Sequence, residues 1–144
     1  MGQVLAVCIS ERKGTEKHPV PSITLTVGHG IEGDAHAGNW HRQVSLLAIE
    51  SVEPMRTKYP DLPIGAFAEN ILTEGIELKS LPVGTVLSVG EALLAVTQIG
   101  KECHADCAIR RAVGDCVMPR EGVFAIVLRG GVVRQHDRIE ITAF

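Results

Sequence analysis

Short apolar runs separated by glycine- and proline-marked turns recur along the whole chain, and this spacing constrains its fold most. Gln3 to Ser10 (QVLAVCIS) is rich in β-branched and aliphatic residues. In Ser22 to Val27, the apolar Ile23, Leu25 and Val27 alternate with Ser22, Thr24 and Thr26, the period of a half-buried strand. Gln43 to Leu47 reads as a strand entering a helix, and Phe67 to Thr73 as a strand interrupted by the polar pair Glu69-Asn70, a mark of a barrel rim or site edge. Thr85 to Val89 and Ala92 to Gln98 read as a hairpin turning at Gly90-Glu91. Val123 to Leu128 is a near-continuous apolar strand, Gly130-Gly131 turns it, and Ile139 to Thr142 ends the sheet. Only Ala48 to Tyr59 has helical spacing, through Ile49, Val52, Met55 and Tyr59. Pro54 fits that helix only in its first turn, with Ser51 as N-cap. Many short strands with one clear helix predict a mainly β protein, a closed or nearly closed β-barrel of mostly antiparallel strands with one or two short helices. A length of 144 residues predicts a single domain spanning 1–144.

Composition excludes several functions. A net charge of −3 gives no basic footprint for nucleic acid, and 3% aromatic residues leave few stacking platforms for bases. No run approaches the roughly 20 apolar residues of a membrane span, so no membrane partner is expected. The start, MGQVLAVCISERKG, lacks a basic segment followed by a long apolar run, which predicts a cytoplasmic protein with reduced cysteines. Cys8, inside the first strand, reads as a small buried hydrophobe.

Two segments carry chemistry. Gly28 to Gly38 (GHGIEGDAHAG) is a tight glycine-rich loop holding His29, Glu32, Asp34 and His36, with His41 and Arg42 just beyond. Asp34 and His36 could form a ligand or acid/base pair, but turn chemistry, with Asp34 capping backbone N–H groups and His36 exposed, is the favoured reading. Glu11 to Pro21 reads as an exposed loop. The richer segment is Gly100 to Gly122, GKECHADCAIRRAVGDCVMPREG, with three of the four cysteines. A helical turn there would put Cys103 and Cys107 on one face, beside Arg110 and Arg111, which would lower the thiol pKa below about 8.5. His104 would tune the neighbouring thiol. Such a thiolate suits soft-metal ligation, persulfide transfer, or a zinc site from Cys103, Cys107, Cys116 and a histidine. A fourth reading is that the cysteines are simply buried. Arg110, Arg111 and Arg120 suit a phosphate or another anion.

Taken together and in order, GIEGDAHAG, QVSLLAIES, FAENILTEGIEL, LPVGTVLSVGEALLAVTQIGKEC and GDCVMPREGVFAIVLRGG resemble a stand-alone MOSC domain, the module also found at the C-terminus of molybdenum-cofactor sulfurases. The resemblance implies a β-barrel with a functional cysteine in a loop at its mouth. That cysteine ligates the molybdenum of a molybdopterin in relatives such as the mitochondrial amidoxime-reducing component, and handles sulfur in others. Counting from Leu93 to Gln98 puts this cysteine at Cys103, whereas aligning on AIRRAVG favours Cys107; Cys103 is preferred and Cys116 ranks third. The resemblance thus implies Cys103 as metal ligand or sulfur carrier and Arg110, Arg111 and Arg120 on the pterin phosphate, with Asp34 and His36 lining the mouth. Expected partners are the molybdenum cofactor, its biosynthetic or acceptor proteins and a cysteine desulfurase, and an exposed barrel edge would support a homodimer. A form with no bound cofactor fits as well. The alternatives are a zinc-stabilised, non-catalytic partner-binding barrel and a molybdenum-dependent reductase of N-hydroxylated substrates served by an electron donor.

Overall fold

The computed structural model describes residues 2–13, 15–58, 60–100 and 121–143. Its strands are β1 (Gly2–Ile9), β2 (His18–Val20), β3 (Ser22–Thr26), β4 (Gly30–Ile31), β5 (Val44–Ala48), β6 (Ile71–Glu74), β7 (Val86–Val89), β8 (Ala92–Ile99), β9 (Val123–Arg129), β10 (Gly131–Arg134) and β11 (Arg138–Ala143). Helix α1 covers Ile49–Lys58, and a 3-10 turn covers Leu78–Ser80. Strands β11-β7-β8-β9-β5-β6-β1 form one sheet, and pairing of β1 with β11 through Gly2↔Ile139 and Gln3↔Arg138 closes it into a barrel. The pairings around the barrel are antiparallel except β5 with β6. The mainly β, closed-barrel expectation therefore holds. β2 extends the sheet beyond β1, and β10-β3-β4 form a second small sheet.

Strand alternation sorts the apolar residues into two cores. Val44, Leu46, Ile71, Leu94, Val96, Val123, Ala125 and Ile139 belong to the larger cluster inside the barrel. Leu47, Leu72, Ala6, Cys8 and Phe124 face the other way and pack with Ile49, Val52 and Met55 of α1 and with Phe67. Every residue of β5 is buried because both faces are covered. Cys8 is fully buried in the outer layer, as expected, and that burial pushes its thiol up to about 12, with Glu69 adding to the rise and Lys17 opposing it.

Three local expectations need correction. Helix α1 begins at Ile49, directly from β5, so Pro54 lies inside the helix and not in its first turn. Ser51 is a helical residue whose hydroxyl donates to Glu121 at 2.8 Å, not an N-cap. The segment from Glu11 to Pro21 is not an exposed loop throughout: β2 lies within it and Lys17 is buried. Glu69 and Asn70 precede β6 and are buried too, at 2% and 0% exposure, because unpaired backbone groups need them. Glu69 accepts from Gly65 N at 2.9 Å and Phe67 N at 3.1 Å. Burial raises its carboxyl pKa, with those backbone donors and the charge of Arg56 opposing the rise. Asn70 bridges β1 and β5 just before β6 begins: its Nδ2 donates to Cys8 O at 3.1 Å and its Oδ1 accepts from Ser45 N at 3.0 Å.

Gly65 sits at φ +90°, and a Cβ there would collide with the carbonyl oxygen of Lys17. Gly84, at φ +98°, has open space around it. Gly65→Ala is therefore expected to cost ~4 kcal/mol or more, from backbone strain plus collision. Gly84→Ala should cost only ~1–2 kcal/mol from strain. Urea unfolding of both variants checks the contrast, and equal costs would refute it.

Candidate functional site

The loops after β1 and β4 meet at a buried ion pair. Lys17, just before β2, places its Nζ 2.8 Å from Asp34 Oδ1, with both side chains at 0% exposure. The same Nζ lies 3.1 Å from Ser10 Oγ and 3.0 Å from His36 Nδ1. An ammonium has three protons, and these are three acceptors. An imidazole that accepts from this ammonium at Nδ1 carries its ring proton on Nε2. Ser10 Oγ in turn donates to Arg12 O at 3.1 Å.

Asp34 is saturated. Its Oδ1 also accepts from Ser10 N at 3.1 Å, and its Oδ2 accepts from His36 N at 3.1 Å. Burial alone would raise the Asp34 pKa, but the hydrogen bond and charge of Lys17, helped by the Ser10 and His36 amides, hold it below the usual carboxylate range. The capping expected of Asp34 is thus present, but it comes with a buried lysine. His36 is not a fully exposed turn residue, since its side chain is 20% exposed and rests against Lys17. Beyond it, the Trp40 indole lies nearly parallel to the imidazole at 6.5 Å, and Trp40 Nε1 donates to His36 O at 2.7 Å.

Of the residues expected to act, Asp34 and His36 are brought together here. Cys103, Cys107, Cys116, His104, Arg110, Arg111 and Arg120 lie outside the described residues. Among the described residues, no group of three or more His, Cys, Asp and Glu side chains could hold a metal ion. Cys8 is no substitute ligand, because burial keeps it a neutral thiol. The described chain does define where the cysteine segment attaches. β8 and β9 stay paired to Ile99↔Val123, and Gly100 N donates to Gly122 O at 2.7 Å. The two described flanks of residues 101–120 therefore meet at one point on the barrel.

The MOSC domain profile matches residues 33–140, which spans most of the chain, including Gly33 to Gly38 of the glycine-rich loop and the cysteine segment. The chain belongs to the MOSC domain family. Solved structures agree with this MOSC assignment at the level of fold. YuaD from Bacillus subtilis superposes with a TM-score of 0.78 at 21% identity, covering 100% of this chain and 97% of that one. YiiM from Geobacillus stearothermophilus gives 0.75 at 18% identity, covering 99% and 75%. YiiM from Escherichia coli gives 0.70 at 20% identity, covering 99% and 70%. No curated protein sequence matches the chain at a significant level. No helix among the described residues is long and apolar enough to cross a membrane.

Sequence reasoning missed Lys17, Ser10 and Trp40 as members of this MOSC site. Lys17 stands in a polar stretch, where a lysine ordinarily reads as solvated. The usable signal was Asp34, an acid in an apolar-flanked glycine loop that needed a cation. Lys17→Met is expected to cost ~3–5 kcal/mol by leaving a buried carboxylate without its counter-charge. The double variant with Asp34→Leu should cost less than the sum of the single changes, measured by a denaturant double-mutant cycle. A lowered folded pKa means that Asp34 adds stability above its unfolded value of about 3.9, which is lost as pH falls through the folded value. Asp34→Asn should therefore flatten the acid limb of the stability profile below about pH 4.

Proposed function

We propose that this MOSC protein acts in molybdenum-cofactor metabolism as a single domain, with Cys103 as its working thiol and Cys107 as second choice. The thiolate either holds the cofactor's molybdenum or carries sulfur as a persulfide. The observation that supports this reading most is the span of the family match. It covers residues 101–120, which hold three of the four cysteines and whose described flanks meet at the Gly100–Gly122 junction. When bound, the cofactor would supply a redox metal on a dithiolene, and Cys103 would complete its ligand set. Arg110, Arg111 and Arg120 would neutralise the pterin phosphate through charge-assisted hydrogen bonds.

Cys8 has no part in this chemistry. A thiol with a pKa of about 12 supplies almost no thiolate at neutral pH, so Cys8 serves as an internal control. Protein purified from cells that make the cofactor should contain molybdenum that Cys103→Ala removes, read by elemental analysis. In the sulfur-carrier form, intact mass after incubation with a cysteine desulfurase and cysteine should show a reducible adduct of one sulfur. That adduct should be lost in Cys103→Ala and retained in Cys8→Ala. Stoichiometric zinc, with unfolding on chelation, would replace this reading with that of a zinc-stabilised binding module. Absence of both molybdenum and adduct would sink it.

A further inference from the structure

We propose that Arg42 and Lys13, both held on the indole of Trp40, form a receptor for the phosphate group of a small phosphorylated ligand. The guanidinium carbon of Arg42 lies 4.7 Å from the Trp40 ring centre and 5.7 Å from that of Phe124. Lys13 Nζ lies 5.1 Å from the same Trp40 ring centre. Two positive charges thus share one ring, with fields that overlap inside a Debye length of roughly 10 Å.

Neither cation has a carboxylate partner among the described residues. The ion pairs among the described residues involve Lys17, His29, His36, Lys79 and Arg138, but not Arg42 or Lys13. Asp34, the acid reached from Trp40 through His36, already accepts from Lys17, Ser10 N and His36 N. The Nε of Arg42 is buried and makes no hydrogen bond. An aromatic face attracts the guanidinium charge but accepts none of its in-plane N–H groups, so the two terminal Nη groups, which are not buried, remain available to an oxyanion.

The arginine is also held in place. His41 Nε2 meets Gln98 Oε1 at 2.8 Å, and the Thr97 hydroxyl donates to His41 O. On the other side, the buried Gln43 accepts from Val127 N at 3.0 Å. Both chain neighbours of Arg42 are therefore tied to β8 and β9, which reduces the ordering cost of binding. A mostly apolar groove of about 490 Å³ adjoins Trp40 and His41, lined also by Val27, Thr97, Ile126 and Leu128. It would take the organic body of the ligand. Two cations, one of them a planar fork, match a phosphate dianion better than a carboxylate, which neutralises only one charge.

Trp40 is the only tryptophan of the chain, so its fluorescence reports this site alone. Inorganic phosphate and phenyl phosphate are titrated against sodium chloride of equal ionic strength. The expected result is a saturable change with both phosphates, tighter for the ester, and none with chloride. Arg42→Gln should weaken binding about tenfold or more, the loss of charge-assisted hydrogen bonds. Lys13→Gln, a change at an exposed position, should weaken it less and lower the salt dependence. Arg42→Lys should recover part of the affinity, and circular dichroism checks that each variant is folded. If Arg42→Gln does not fold, Arg42→Lys and Lys13→Gln decide the question. A response identical to that of chloride, or wild-type affinity in the folded variants, overturns the proposal. Equal affinity for both phosphates overturns the role given to the groove. The inference does not rest on the thiol reading, and unaltered phosphate binding in Cys103→Ala would keep the two separable.

Discussion

Closure of the sheet between β1 and β11 is the constraint from which the rest follows. The seam is short, Gly2↔Ile139 and Gln3↔Arg138, and is extended by Val4 N to Asp137 O at 2.8 Å and His136 N to Val4 O at 2.7 Å. A closed sheet has an inside and an outside, so every strand must place alternate residues in different surroundings. The inside is filled by aliphatic side chains. Outside it, loops and α1 add a second layer over the barrel wall.

The buried Lys17–Asp34 pair organises that outer region. It ties the chain after β1, the chain before β2 and the glycine loop after β4 at one ammonium. Ion pairs removed from water are weak contributors to stability when compared with apolar packing, but they are strongly selective for one arrangement. Here the arrangement holds the His36 ring against Lys17, and the neighbouring Trp40 receives Arg42 and Lys13 on its faces. Glu69 solves a different problem with the same chemistry. It caps backbone N–H groups in the Gly65–Phe67 turn, with no hydrogen-bonded lysine of its own, and its pKa shifts in the opposite direction to that of Asp34.

The barrel was legible because its signals are local. Alternation in Ser22 to Val27, the Gly90-Glu91 hairpin and the apolar run from Val123 all appear in the structure close to their expected bounds. The errors arose where tertiary contacts override local rules. Pro54 looked like a first-turn residue, but β5 runs straight into α1 and starts the helix earlier. Glu69 and Asn70 read as a barrel rim or a site edge; they stand where β6 begins, and what the sequence does not show is that they are buried to satisfy backbone groups. Of the site, Asp34 and His36 were visible as a motif. Lys17 was not, because nothing local distinguishes a buried lysine from a solvated one. The partner that buries it lies 17 positions away.

The Gly100–Gly122 junction brings the two flanks of the cysteine-bearing stretch to adjacent positions at the end of β8 and the start of β9. The strands pair up to Ile99↔Val123, and Glu121 ties the returning flank to Ser51 of α1 and to Lys79. Both ends of the segment are fixed, and the closure entropy of the chain between them rises only with the logarithm of its length. Lengthening that stretch therefore adds little to the entropic cost of closing it.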